Sequence, residues 1–215
     1  MRSLETGDTR MIVDACLEHG LLRNQCAYVL ATALHETAST MKPVREYGGE
    51  KYLKAKKYYP YVGMGYVQLT WRENYDKAGK KLGVDFLANP KLLLKAEYAA
   101  PILVIGCRDG WFTGKKLSDY ITLTNSDFVG ARRIVNGTDK AQQIAIYARQ
   151  YDKLLKGVGY GVEPTPALPS DPGKVFHVED KPLSINPGPA PKTEERNIFW
   201  RALFAVLGWF SAPKK

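Results

Sequence analysis

Glu36 is the residue best suited to acid–base chemistry, because it ends a long apolar run. The run QCAYVLATALHE (residues 25–36) is apolar on nearly all sides and predicts a buried helix. A carboxyl group that leaves such a helix into a cleft has its neutral form favoured, as general acid catalysis requires. Two other interpretations stay open, namely a surface Glu at a helix end and a Glu paired with Arg45.

Two further carboxylates, Glu46 and Glu50, follow in a segment rich in Tyr, Lys and Gly (residues 43–62). A glycosidase needs a second carboxylate across the sugar from the first, and inverting enzymes keep the pair about 6.5–9.5 Å apart to admit a water. A long ordered loop can hold a carboxylate at that distance. Both residues also fit as solvated loop carboxylates near Arg45 and Lys51.

The three histidines do not form a metal-binding pattern. Ser39 stands where an HExxH zinc motif beginning at His35 has its second histidine. The other two histidines, His19 and His177, lie far away in the sequence. We therefore expect no metal site.

Helices must position these carboxylates, because helical periodicity dominates the first 160 residues. Asp8 or Thr9 is expected to cap the first helix, and Asn24 the second. The predicted helices cover residues 9–19, 24–36, 73–82, 92–106, 126–136 and 140–155. The stretch GMGYVQLTW (63–71) alternates like a short strand or turn. The body is therefore predicted to be mainly α, with a small irregular or β element near residues 45–70.

Composition and charge narrow the class of protein. The 215 residues are 45% hydrophobic and 25% charged, which excludes a collagen-like or wholly disordered chain. The net charge of +9 favours an anionic partner, such as nucleic acid, anionic lipid or an acidic wall polymer. Lysines at 51–57 are interleaved with tyrosines, but no nucleic-acid motif accompanies them, so we expect no nucleic-acid partner. The spacing of Cys16, Cys26 and Cys107 predicts buried, reduced thiols.

The prolines divide the chain, since nine of the 13 lie between Pro164 and Pro213. We predict a folded domain over residues 1–160, a Pro/Gly-rich linker over 161–196 and a C-terminal hydrophobic or amphipathic helix over 197–215. Residues 198–210 fall short of the roughly 20 apolar residues that a membrane-spanning helix needs. A helix at a membrane surface, or one packed on this or a partner protein, is favoured over a true span.

Four motifs, in order along the chain, resemble the family 19 glycoside hydrolases, and above all the short chitinase-like endolysins of bacteriophages. They are AYVLATALHETASTM (27–41), GMGYVQLTWRENY (63–75), KLGVDFLANPKLL (81–93) and RRIVNG (132–137). The resemblance covers about residues 8–155. It implies a lysozyme-like, mostly helical fold (α+β, with two helical lobes and a substrate cleft). It also implies hydrolysis of β-1,4 bonds between N-acetylated amino sugars, without a cofactor.

The resemblance also implies roles for the acidic residues. Glu36 stands at the position of the family's general acid. Glu46 is the best match to the acid that activates the attacking water, and Glu50 is its substitute. Thr70 matches a hydroxyl residue that helps to position that water, which leads to inversion of the anomeric centre.

The resemblance implies binding roles for neutral residues. Gln68, Asn74 and Asn136 match amides that line the sugar cleft, and amides suit acetamido and hydroxyl groups as donors and acceptors. Tyr66 and Trp71 are expected either to offer apolar faces to sugar rings or to be core aromatics.

Together these expectations describe a peptidoglycan hydrolase of phage origin. It would be made in the host cytoplasm without a signal peptide, because the N-terminus lacks a continuous apolar run, and would act at the cell wall or periplasm. Residues 198–210 would contact a membrane surface or a partner protein. The alternatives are a chitinase, a lytic transglycosylase, and a catalytically silent wall-binding or virion structural protein.

Overall fold

The computed structural model describes residues 3–161, which form a mainly α-helical domain, as predicted. The α-helices are α1 (Thr9–Glu18), α2 (Arg23–Glu36), α3 (Glu50–Lys54), α4 (Arg72–Leu82), α5 (Ala96–Asp109) and α6 (Ala141–Gly157). The strands are β1 (Val44–Arg45) and β2 (Met64–Gly65), and 3-10 helices cover Pro90–Leu94, Leu117–Asp119 and Gly130–Ile134. The predicted linker, from residue 162 on, and the C-terminal helix lie outside the described residues. No helix within 3–161 is long and apolar enough to cross a membrane.

Helix α2 is the centre of the domain. Nine successive residues, 26–34, are buried, as expected of a helix that is apolar on nearly all sides. It packs chiefly against α6 and also against α1 and α5. Because α2 packs against three helices, the core fixes the position of its last residue, Glu36.

The starts of α1 and α2 differ from the predicted caps. Asp8 precedes α1 but makes no capping hydrogen bond with its side chain, and the hydroxyl of Thr9 bonds instead to an upstream carbonyl. Helix α2 begins after Leu22, whose backbone N–H donates to Oε1 of Gln25 at 3.1 Å. Asn24 therefore lies inside the helix, and its amide donates to a distant loop at the carbonyl of residue 122.

The small β element near residues 45–70 is confirmed as an antiparallel pair, in which Val44 faces Gly65 and Arg45 faces Met64. An apolar cluster lies beneath it and joins it to α4, α5 and the chain between them. The cluster consists of Leu53, Val62, Met64, Leu69, Tyr75, Ala78, Phe86, Leu93 and Ile102. The irregular segment therefore packs on this apolar cluster.

Two predicted helices are wrong in part. The helix expected over 92–106 is divided, because Lys95 is extended between the 3-10 helix Pro90–Leu94 and α5. The helix expected over 126–136 is only the 3-10 helix Gly130–Ile134. There the backbone N–H of Gly130 donates to Oδ1 of Asp127 at 2.8 Å, a turn interaction that competes with helix formation.

The three cysteines are free and fully buried, as predicted. Burial raises the pKa of Cys107 to about 12 and holds the pKa of Cys16 well above its ordinary value. These thiols belong to the core of the helical domain.

Candidate active site

Glu36 forms an ion pair with Arg132, 96 residues further along the chain. Its Oε1 accepts a hydrogen bond from Nη1 of Arg132 at 2.6 Å, and the two side chains are 23% and 2% exposed. A guanidinium that is buried so completely needs an anionic partner. Arg132 also donates from Nε to the carbonyl of Asp139 at 3.0 Å. Glu36 is therefore not paired with Arg45, which was one of the two interpretations left open.

The backbone turns sharply directly after Glu36. The buried Thr37 donates from its hydroxyl to the carbonyl of Ala33 at 2.7 Å and accepts the N–H of Met41 at 3.0 Å. Ala38, Ser39 and Met41 have φ values of 49°, 68° and 53°. Residues with side chains are rarely found in this left-handed region, and such strain concentrates at functional sites.

Glu46 is held by three hydrogen bonds directly after β1. Its Oε1 accepts from the hydroxyl of Tyr58 at 2.7 Å, and its Oε2 accepts from the backbone N–H of Gly63 at 3.0 Å. Its own backbone N–H donates to the carbonyl of Gly63 at 2.6 Å. The hydrogen bond to the Glu46 carboxylate raises the pKa of Tyr58 to about 12. The carboxylate thus has a defined orientation, with each oxygen accepting from one donor.

Glu50, the substitute for Glu46, has different surroundings. It lies in the first turn of α3, where its side chain is 59% exposed and pairs with Arg45 at 2.8 Å. Its exposure matches the solvated carboxylate that the sequence left as an alternative for both residues, although it lies on a short helix rather than a loop. Of the two carboxylates, Glu46 has a defined orientation and Glu50 lies mostly in solvent.

Thr70 and Gln68 converge on Gly63, the residue that binds Glu46. A Cβ atom placed on Gly63 would lie 2.8 Å from Oε1 of Gln68 and 3.3 Å from Oγ1 of Thr70. The hydroxyl of Thr70 donates to the carbonyl of Gln68 at 2.8 Å, and Nδ2 of Asn74 donates to the carbonyl of Thr70 at 2.8 Å. The structure therefore brings four of the predicted site residues, Glu46, Gln68, Thr70 and Asn74, into one cluster.

Asn136 belongs with Glu36 rather than with that cluster. It is exposed, and its backbone N–H donates to the carbonyl of Arg132, the partner of Glu36, at 3.0 Å. Its side-chain Oδ1 accepts from the N–H of Gly137 at 2.8 Å.

The expectation that Tyr66 offers a face to a sugar ring is wrong. Its side chain is 1% exposed, and its hydroxyl donates to Oδ2 of Asp8 at 3.1 Å. Burial, and then the neighbouring carboxylate, raises the pKa of this phenol. Tyr66 is the core aromatic that the sequence allowed as its other interpretation. Trp71, in contrast, is 48% exposed and meets the ring of Tyr58 edge-on, with the centroids 5.3 Å apart.

Three residues of the site, Arg132, Tyr58 and Gly63, were not predicted from the sequence. The pair of arginines in the apolar stretch GARRIVNG (130–137) was a usable signal, because a charge among apolar residues must find a partner. Nothing in the sequence distinguishes Tyr58 from the other tyrosines around it. Within residues 3–161, no group of three or more His, Cys, Asp or Glu side chains is placed to hold a metal ion.

The chain is similar to two proteins that are called chitinases. No family model matches the chain. An endochitinase from Arabidopsis thaliana is 28% identical over 121 residues, which are 54% of this chain and 40% of that protein. The chain thus spans less than half the length of this curated relative. Among solved structures, chitinase C from Streptomyces griseus aligns with a TM-score of 0.52 at 22% identity, covering 68% of this chain and 69% of that one. The domain therefore shares its mainly helical fold with chitinase C.

Proposed function

We propose that this protein is a glycoside hydrolase of the family 19 type that cleaves β-1,4 bonds between N-acetylated amino sugars. The observation that carries this proposal is the fixed orientation of Glu46, whose carboxylate binds Gly63 beside the hydroxyl of Thr70. Glu36 supplies a second carboxyl group at the end of a buried helix. The two similar proteins, both called chitinases, support this class of substrate.

In the proposed reaction, Glu36 binds the substrate with a proton on Oε2, the oxygen that does not accept from Arg132. It gives this proton to the glycosidic oxygen as the bond to the anomeric carbon breaks. Glu46 takes a proton from a water that attacks the anomeric carbon from the opposite face, and Thr70 helps to position this water. The product has the inverted configuration. Arg132 orients Glu36 and stabilises the carboxylate that remains after the proton has been given.

Our preferred substrate is peptidoglycan, and the preferred role is that of a phage endolysin that lyses the host or penetrates its wall. The net charge of +9 supports this choice, because peptidoglycan carries carboxylates and chitin does not. Chitin is the second candidate, since both similar proteins are called chitinases. In either case we propose action outside the cytoplasm, at a wall or in the periplasm.

Product analysis tests the proposal. The full chain is incubated with purified peptidoglycan and with chitin oligosaccharides, and the products are examined by mass spectrometry and by NMR of the anomeric proton. Hydrolysis gives reducing ends that first appear in the inverted configuration. Anhydro-muramic ends would instead indicate a lytic transglycosylase. If neither substrate yields products, the protein is a silent wall-binding or structural protein and the proposal fails.

A further inference from the structure

Exposed aromatic rings are concentrated beside Glu46. Seven large hydrophobic side chains are exposed within residues 3–161, and four of them belong to this one region. Tyr47 is 80% exposed, Tyr52 52%, Trp71 48% and Tyr59 38%. Exposed apolar side chains that cluster, rather than lying singly, indicate a binding surface. We name this region, residues 47–59 with Trp71, the aromatic–basic surface.

The same surface carries four lysines. Lys51, Lys54 and Lys57 are exposed and form no ion pair with any residue in 3–161. The fourth, Lys56, places its Nζ 4.0 Å from the centroid of the Tyr52 ring, a cation–π contact. Positive charge and apolar rings are thus interleaved over a short stretch of chain.

The acidic residues of the region do not offset this charge. Glu50 is paired with Arg45 at 2.8 Å. Both carboxylate oxygens of Glu46 accept hydrogen bonds, one from Tyr58 and one from Gly63. The lysine charges are therefore available to an anion that approaches from solvent.

The aromatic–basic surface is continuous with the candidate active site. Tyr58 donates to Glu46 at 2.7 Å and also contacts the ring of Trp71. The loop after Glu46 passes against Tyr52, because a Cβ on Gly48 would lie 2.5 Å from Cδ1 of that ring. A chain-like ligand that reaches Glu46 can therefore extend across the exposed rings.

Trp71 supplies a separate argument for binding. Its φ is 79°, a left-handed conformation that is costly for a bulky side chain. About half of its surface remains in water, so packing offsets only part of this cost. Strain of this kind persists at ligand-binding positions, where the fold holds a side chain in place for contact.

We propose that the aromatic–basic surface binds an amino-sugar chain that carries carboxylates, and so selects an anionic glycan over a neutral one. The rings of Tyr47, Tyr52 and Trp71 cover the apolar faces of the sugars, while the lysines pair with the carboxylates. The inference rests on the proposed function, because it names the substrate class for the same site. It assigns the preference for peptidoglycan to particular residues.

The test compares two double variants of the full chain that lose the same charge. Lys54→Gln with Lys57→Gln changes the aromatic–basic surface, and Lys153→Gln with Lys156→Gln changes the exposed side of α6. Hydrolysis is measured at low salt on peptidoglycan, on peptidoglycan whose carboxylates are amidated, and on chitin oligosaccharides. We expect the first variant to lose about 3- to 10-fold on native peptidoglycan, because two exposed ion pairs are removed. Its activity on the two neutral substrates stays unchanged, and the α6 variant stays close to wild type on all three.

Binding is measured separately, by co-sedimentation with sacculi, so that the inference and the proposed function can fail independently. If the wild type hydrolyses nothing, the proposed function fails, and the binding of the two double variants still decides the role of the surface. The inference is overturned if both double variants lose the same fraction of their activity on peptidoglycan. It is also overturned if the Lys54/Lys57 variant loses as much activity on chitin oligosaccharides as on peptidoglycan. It is also overturned if duplex DNA displaces the protein from sacculi as well as soluble anionic glycan does, since the surface would then accept any polyanion.

Discussion

Glu36 and Glu46 are held in opposite ways. Glu36 ends a helix enclosed by three others and is tied to Arg132 across 96 residues of sequence. Glu46 follows a two-residue strand, and the two groups that donate to its carboxylate, the Tyr58 hydroxyl and the Gly63 N–H, lie within 17 residues of it. One carboxylate depends on the whole helical core, whereas the other depends on a local network.

The two regions also differ in what would disturb them. Around Glu36 the critical contact is a single buried charge pair, so its loss leaves an ion without compensation. Around Glu46 several weaker contacts share the task, and Gly63 supplies both a donor and the space that Gln68 and Thr70 occupy. We therefore expect changes near Glu36 to affect stability and activity together. Removal of a single polar side chain near Glu46 should act mainly on activity.

The largest expected effect is that of Glu36→Gln. The substitution keeps the shape and an acceptor for Arg132 but removes the proton that the leaving oxygen needs. We expect hydrolysis of the preferred substrate to fall by about 10²- to 10⁴-fold, the usual contribution of a general acid. Glu97→Gln, at an exposed carboxylate of α5, is the control and should keep wild-type activity. A Glu36→Gln protein that hydrolyses at the wild-type rate would refute the mechanism.

The next effect separates the two candidates for the second acid. We expect Glu46→Gln to lower the rate by about 10²-fold or more, since the base that activates the water is lost. Glu50→Gln should stay within about twofold of wild type, because this side chain is exposed and its ion pair with Arg45 is weak. Initial rates on one substrate are sufficient for the comparison. A loss confined to Glu50→Gln would transfer the role to Glu50.

Stability tests the claim that Glu36 belongs to the buried core. Glu36→Met leaves the 2% exposed guanidinium of Arg132 without its anion, whereas Arg132→Met leaves a carboxylate that is 23% exposed. We expect Glu36→Met to lower the free energy of unfolding by about 3–5 kcal/mol, and Arg132→Met to lower it by less. Urea titration followed by circular dichroism measures both. Lys80→Met, which breaks the exposed pair with Asp76, is the control and should cost at most about 0.5 kcal/mol.

Gly63→Ala is expected to break the Glu46 network without removing any of its polar groups. The new methyl group would lie 2.8 Å from Oε1 of Gln68 and 3.3 Å from Oγ1 of Thr70, so both side chains must move. We expect a loss of about 1–3 kcal/mol of stability, as for other overpacked sites, together with a clear fall in kcat. Gly157→Ala, at the end of α6 with no atom within 4 Å of the new Cβ, is the matched control. Equal behaviour of the two variants would mean that Gly63 is not a packing constraint.

The difference between the Glu36 and Glu46 regions also explains which features can be predicted from the sequence. Helix α2 and its terminal Glu36 were predicted because an apolar run is a local signal. Arg132 was not, because its pairing with Glu36 joins residues far apart in the chain. Alternation over 63–71 indicated an extended segment but not which face is buried, so the sequence left Tyr66 as either a sugar-facing ring or a core aromatic, and it belongs to the core.

Turn chemistry accounts for the other misses. Asp127 and Gly130 close a tight turn where periodicity predicted a helix, and the backbone N–H of Leu22, directly before α2, is bonded by the side chain of Gln25. Tyr58 lies in a segment without periodicity, so its bond to Glu46 was visible only in three dimensions.

The smallest expected effect belongs to Tyr58→Phe, which removes one of the two hydrogen-bond donors to the Glu46 carboxylate. The Gly63 N–H remains, so the carboxylate stays at the same position but is less firmly oriented. We expect kcat to fall by about 3- to 10-fold with little change in KM. This is less than the about 1.5–3 kcal/mol that a hydrogen bond to a charged group can contribute, because the Gly63 N–H still holds the carboxylate. Because the pKa of Tyr58 is raised to about 12, its hydroxyl keeps its proton through pH 5–9 and contributes no step to the wild-type pH profile in that range. Tyr98→Phe, whose ring meets Phe86 away from Glu46, is the control and should leave kcat unchanged. If the two variants match, Glu46 is oriented by the backbone alone, and the contrast with the side-chain pair at Glu36 becomes sharper still.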